Sequence, residues 1–309
     1  MTLDRGRPDV TQVRLAILKT LVYADLFDYP LSSEEVVRYL TVPAPPESVR
    51  QLLDDGAVDG AFCRANGYFA LPGRTQLIPL RERRAAIART KWATAQQYTR
   101  WIARTPFVRM VAVTGTLAVE NVEESDDIDL FIVTATGRLW LCRVLVILTV
   151  RVAALAGVEL CPNYFLAERE LSLKERGFFH AREVTQMVPL YGVDTYQRLR
   201  GVNDWVEEYL PHARGTPDST PIMRLGPFER AAKRAAERLL GGRLGAFLES
   251  WEMSRKIQKF SRQAQTEGGS VLFTPDCCKG HFDHHDQIIM QHFEKRLAHY
   301  GLSMDQTDG

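Results

Sequence analysis

Asp127 and Asp129 are the residues of this chain best placed to do chemistry. They open the run Asp127 to Val133 (DIDLFIV), which reads as a buried strand. Alternate strand residues project to one face, so the two carboxylates share a side at the edge of a core. Two such charges repel each other. A shared hard cation bound through oxygen, Mg²⁺ or Mn²⁺, removes the conflict. Upstream, Val108 to Val113 (VRMVAV) is a second short strand pattern, and it gives way at Thr114-Gly115-Thr116 to a brief helical stretch. Glycine between a strand and a helix lets the backbone approach a phosphate, and the Thr116 hydroxyl can bond the same group. A cation beside a phosphate cradle suits phosphoryl transfer, which works by positioning and by neutralising charge. The structural alternative is an aspartate pair that caps the strand end or pairs with cations.

A second cluster holds Cys277, Cys278, His281, His284, His285 and His292, with Asp283 and Asp286 among them. Adjacent cysteines rarely bind one ion together. Only Cys278, His281 and His285 have a spacing that suits zinc. A turn followed by a polar helix start is the expectation here, without stoichiometric zinc.

The elements that carry these residues can be read along the chain. Val13, Leu15, Ile17, Leu18, Leu21 and Val22 form a helical apolar face that ends at Tyr29-Pro30. Ser32 with Glu35 has capping-box spacing and opens a second helix through Leu40. Pro45-Pro46 starts a third helix through Leu53, with Asp55-Gly56 as its stop. Asn66-Gly67 between apolar segments marks a tight hairpin. Three helices and a hairpin make a winged-helix pattern. The third helix offers Glu47, Arg50, Asp54 and Asp55, a net-acidic face, so no sequence-specific DNA binding is expected.

One long helix follows over residues 76–106, with Arg81, Arg83, Arg84, Arg89, Lys91, Arg100 and Arg104 against Glu82. It is either a surface for a phosphate-rich substrate or, as we favour, a solvated face with its aromatics turned inward. After the two acidic-motif strands come a helix over 138–157 and the strand candidate VELCPNYFL. Alternating strands and helices point to an α/β sheet. Residues 181–213 read as helical, and another helical region runs from Pro227 to about Gln265, with a break at Gly241-Gly242.

The chain has 309 residues, enough for about two domains. Its 39 basic and 38 acidic residues nearly cancel, so net charge announces no nucleic-acid partner. The start, MTLDRGRPDV, is not a signal peptide, and five scattered cysteines make no disulfide framework; a cytoplasmic protein is expected. Leu139 to Val158 is long enough to span a bilayer, but Arg143 and Arg151 lie well inside it. A helix packed on both sides in a core, and no membrane, is the expectation.

The stretch from Val113-Thr114-Gly115-Thr116 to Asp127-Ile128-Asp129-Leu130 resembles the DNA polymerase β-type nucleotidyltransferase superfamily. The likeness covers about residues 108–170 in its strand–turn–helix–strand context. AREVTQMVPLYG and NDWVEEYLP are similar to prokaryotic nucleotidyltransferase-domain proteins that begin with a winged-helix unit. Thr114 and Thr116 depart from the family's usual hydrophobic residue and its Gly or Ser.

The resemblance implies an α/β (α+β) fold with a small mixed sheet and flanking helices. It implies a winged-helix-like unit over 1–75, a nucleotidyltransferase core over 76–175 and a helical C-terminal region over 176–309. It implies transfer of a nucleoside monophosphate from a triphosphate, with ATP expected, and release of pyrophosphate. Asp127 and Asp129 would be catalytic and hold Mg²⁺, and Gly115 and Thr116 would hold the nucleotide. The acceptor could be a small molecule, a protein or an RNA end. The family's third carboxylate lies on the next strand, where this chain offers Asn163, a poorer metal ligand; Glu159, Glu168 and Glu170 are near but do not match the place, so either another acid completes the site or the site is weakened. That substitution supports the alternative of a degenerate core that binds nucleotide or acts as a regulatory module.

Overall fold

The computed structural model describes residues 9–215, 222–267, 272–280 and 285–304. The N-terminal region forms α1 (Val10–Asp25), β1 (Leu31–Ser32), α2 (Ser33–Arg38), α3 (Pro46–Val58), β2 (Cys63–Ala65) and β3 (Tyr68–Ala70). Local chemistry accounts for most of these boundaries. Ser32 caps α2 in a full capping box with Glu35. Pro46 occupies the first turn of α3. Asn66 and Gly67 both take positive φ, +50° and +81°, as a type I′ hairpin turn requires. The strands pair antiparallel in the order β1-β3-β2.

The helix α3 runs through Asp55-Gly56, where a stop was expected. Gly56 is buried, and a Cβ there would collide with the Phe62 ring. It is a packing glycine rather than a helix terminator.

The chain continues through α4 (Leu77–Arg104), β4 (Val108–Val113), α5 (Gly115–Ala118), β5 (Ile128–Thr134), α6 (Leu139–Leu155) and β6 (Leu160–Ala167). Then come α7 (Phe178–Gln186), β7 (Val188–Tyr191), α8 (Val193–Val202), α9 (Val206–Tyr209), α10 (Pro227–Leu240) and α11 (Arg243–Glu267). The last elements are β8 (Leu272–Phe273), β9 (Cys277–Lys279) and α12 (His285–His299). A six-stranded mixed sheet has the order β7-β4-β5-β6-β9-β8. Among the strands of the described residues, β5 and β6 pair in parallel, joined by the α6 crossover, and the other strand pairs are antiparallel. The region after residue 175, expected to be helical, therefore also supplies β7, β8 and β9. Cys277 and Cys278 lie on β9 and bury their side chains in two different cores, so they do not face one site. His281 and His284 lie outside the described residues.

Strand alternation divides the cores. Ile128, Leu130 and Ile132 of β5 face the core that holds Tyr98 of α4 and Trp140 of α6. Phe131 and Val133 face the opposite core, with Met187, Tyr196 and Leu199. A further core joins the N-terminal elements to Phe178, Trp205, Leu210, Phe293 and Leu297.

The helix α6 is not packed on both sides as expected. Its first half is buried, while Leu148, Val152 and Leu155 are exposed. Among the described residues, no helix is long and apolar enough to cross a membrane.

The cations of α4 are largely bonded within the chain. Arg81 is buried and reaches Tyr29, Glu35 and the Glu120 carbonyl. Arg83 and Arg84 pair with Glu123, Arg100 and Arg104 with Glu229, and Lys91 donates to the Asp126 carbonyl. Arg83, Arg89, Arg100 and Arg104 remain exposed, as expected of a solvated face, whereas Arg81 is buried; Tyr98 turns inward, Trp92 is half-buried and Trp101 is exposed, against the expectation.

Candidate functional site

The site lies at the edge where β4 ends and β5 begins. Gly115 stands at the turn out of β4 with φ +66°, a backbone conformation that favours glycine. A Cβ there would overlap the Asp129 carboxylate. The glycine thus lets the backbone of the turn lie directly against the acid. The Thr114 amide donates to the Asp129 carbonyl at 3.1 Å and fixes the two strand ends. Thr116 is exposed, and its hydroxyl donates to Asp126 at 3.2 Å. The same Asp126 carboxylate accepts the Glu123 amide at 3.0 Å, so it braces the loop that leads to the aspartates.

Asp127 and Asp129 come together as expected, and Cys161 joins them. One ligand atom from each of the three lies within 4.8 Å of the others. Cys161 stands directly across from Asp129 in the β5–β6 register. Phe131 pairs with Tyr164, so β6 carries one extra residue at this point, a β-bulge. The bulge keeps Cys161, Asn163 and Tyr164 at the same margin. Asn163 meets Asp129 through its amide nitrogen, which donates to Oδ1 at 2.8 Å. It therefore supports the carboxylate, while Cys161 takes the third place in the cluster.

The electrostatics follow from this crowding. Burial, the charge of Asp127 and the charge of Glu183 push the Asp129 carboxyl up to about 7, against the hydrogen bonds from Cys161 and Asn163. Burial and the two aspartates likewise push the Cys161 thiol up to about 12. A thiol kept protonated there donates to the carboxylates and is a weak ligand for a hard cation. The oxygen donors that fit Mg²⁺ are those of Asp127 and Asp129.

Two cavities meet at this edge. One, of about 320 Å³, has an aromatic side in which Phe131 and Tyr164 stack at 4.6 Å, with Phe179 and Lys279 also on its wall. The other, of about 270 Å³, is bounded by Gly115, Thr116 and Asp129 on the sheet side and by Tyr23, Phe27 and Tyr29 on the other. Thr114, Asn163, Phe179, Glu183 and His285 border both. Burial raises the Glu183 carboxyl above its ordinary value, and Arg182 and Lys279 oppose that rise.

Sequence reasoning missed Cys161, Arg182 and Glu183. Cys161 lies two residues before Asn163, but only the bulge reveals which of them stands across from Asp129. Arg182 and Glu183 fall in the segment AREVTQMVPLYG, with no local sign that α7 faces the sheet edge. No protein-family model matches the chain, and no curated protein or solved structure matches it.

Proposed function

We propose that the chain is a nucleotidyltransferase, moving a nucleoside monophosphate from a triphosphate, ATP by expectation, to an acceptor. One observation carries the reading: the Gly115 turn lies against Asp129 at the edge that also presents Asp127. The glycine brings backbone directly against the acid, and the paired carboxylates call for a cation. A Mg²⁺ ion held by Asp127 and Asp129 would neutralise charge on the phosphates. The meeting of two cavities supports a reaction between two substrates. In that reaction an acceptor oxygen bonds the α-phosphorus, the α–β anhydride bond breaks, and pyrophosphate leaves. Glu183, on the wall of both cavities, is placed to take the acceptor's proton. The order α1-β1-α2-α3-β2-β3 supports a winged-helix-like unit in front of this core.

A second reading has its own observation. The third place beside the aspartates belongs to a thiol, and the nearby amide is Asn163. A core weakened in this way would bind nucleotide without turning it over, as a regulatory module.

The full chain, incubated with each triphosphate and Mg²⁺, decides between them by pyrophosphate release and labelled product. Asp129→Asn is expected to lower transfer by about 10³-fold, the equivalent of the several kcal/mol that metal neutralisation supplies. Intact transfer in Asp129→Asn together with a lower melting temperature would overturn the assignment. Nucleotide binding without product in the wild type would establish the second reading. In that case Asn163→Asp is expected to strengthen Mg²⁺ binding.

A further inference from the structure

The N-terminal elements do more than precede the sheet. Tyr23 of α1, Phe27 just after it and Tyr29 wall the 270 Å³ cavity opposite Gly115 and Asp129. Phe27 is partly buried, and its ring lies 5.5 Å from that of Tyr23. The wall is tied to the glycine turn by direct bonds. Asn121 donates through Nδ2 to the Phe27 carbonyl at 3.0 Å and through its backbone N–H to the Thr116 carbonyl at 2.9 Å. The Tyr29 hydroxyl donates to the Val119 carbonyl at 2.7 Å. Aromatic wall and glycine turn therefore form one frame.

Arg182 completes the same cavity from α7. It is 1% exposed, and its guanidinium lies 3.6 Å from the Tyr39 ring centre and 4.8 Å from that of Tyr23. Its Nε and Nη1 find no hydrogen-bond partner among the described residues. A buried guanidinium held on aromatic faces is costly; Glu183 beside it supplies part of the opposite charge, and an anion in the cavity that both residues border would offset more of that cost. The guanidinium fork matches phosphate and carboxylate alike, and phosphate is the anion that the nucleotidyltransferase reading supplies.

We propose that this cavity is the nucleoside triphosphate pocket: the N-terminal unit supplies Phe27 as the stacking wall for the base, and Arg182 supplies the cation for the phosphates. The inference rests on the nucleotidyltransferase reading and assigns the N-terminal unit a part in the site, not in reading DNA. At about 270 Å³ the cavity lies just below the usual size of small-molecule pockets, and the cavity of about 320 Å³ that shares part of its lining adjoins it.

The test uses the full chain with Mg²⁺ and two probes: α,β-methylene-ATP, which cannot be cleaved at the reacting bond, and inorganic tripolyphosphate. Phe27→Ala is expected to weaken methylene-ATP about tenfold, from lost stacking, and to leave tripolyphosphate unchanged. Phe27→Tyr is expected to restore methylene-ATP binding. Arg182→Gln is expected to weaken both probes about 30-fold, as loss of a charged hydrogen bond does. Should Arg182→Gln lose its thermal transition, the Phe27 variants decide alone. The inference is overturned if Phe27→Ala leaves methylene-ATP binding intact or weakens both probes equally. Asp129-dependent nucleotide binding that ignores Phe27 and Arg182 would sink this pocket and leave the nucleotidyltransferase reading standing. Binding of neither probe by the wild type would overturn both.

Discussion

Asp129 links the chemistry of the site to the stability of the protein. Its carboxyl is pushed up to about 7 by burial, by Asp127 and by Glu183, while in the unfolded chain it has its ordinary value of 3.8. Between those two values the folded state holds the proton and the unfolded state does not. Stability of the metal-free protein therefore falls as pH rises from about 4 to about 7 and levels off above. Asp129→Asn removes this dependence. In chelator, its melting temperature is expected to exceed that of the wild type at about pH 8 and to match it at about pH 4.5. Added Mg²⁺ at the higher pH is expected to raise the wild type only. A lower melting temperature for the variant at both pH values would instead mark Asp129 as a structural residue. The aspartates and Gly115 were legible at this scale because a strand's alternation and a strand-to-helix glycine are local patterns. Cys161 was not, because a bulge shifts the partner register and leaves no local trace. Arg182 and Glu183 were not, because their proximity to Asp129 spans the chain.

Elements were legible where a single residue type decides a boundary. Ser32, Pro46 and Asn66-Gly67 each act through their own backbone or side chain, and the structure uses all of them. The strands β7, β8 and β9 are short, and β7 contains Pro189. They exist because distant partners hydrogen-bond them, which local propensity cannot announce. The basic stripe of α4 is a solvated face at most of its cations, but charge alone does not say which of them is buried on a partner. Arg81 is the clearest case. It binds Tyr29 and Glu35 of the N-terminal elements and the Glu120 carbonyl after α5, and its guanidinium lies 4.5 Å from the Tyr29 ring centre. Arg81→Met leaves Glu35 without its buried cation and the Glu120 carbonyl without its donor. The expected loss is about 3 kcal/mol, read as a lower urea midpoint with an unchanged slope. A loss below about 0.5 kcal/mol, the range of neutral surface changes, would show that this contact does not hold α4 to the N-terminal elements.

At the scale of the whole molecule, the order of elements and the order of cores differ. The winged-helix-like pattern suggested a self-contained unit over 1–75, since its helices and hairpin follow one another. Its core is nonetheless completed from far along the chain. Tyr23 meets Phe178 and Phe293 edge-on at 5.1 Å each, and those two rings stack on one another at 5.5 Å. Trp205, Leu210 and Leu297 bury in the same cluster. Arg38 donates to the Thr185 carbonyl at 3.0 Å, and the Ala44 amide donates to His212 at 3.1 Å. A segment of 75 residues has little core to spare, so exposing this surface removes a large part of its apolar burial. The fragment 1–75 is expected to show no cooperative thermal transition by circular dichroism and to bind a hydrophobic dye, while the full chain melts sharply. Restoring only α12 in trans is not expected to rescue it, because Phe178 and Trp205 come from different elements. A fragment that melts cooperatively near the temperature of the full chain, with dispersed amide resonances, would show that the N-terminal unit folds alone and that its packing on α7 and α12 is docking rather than a shared core.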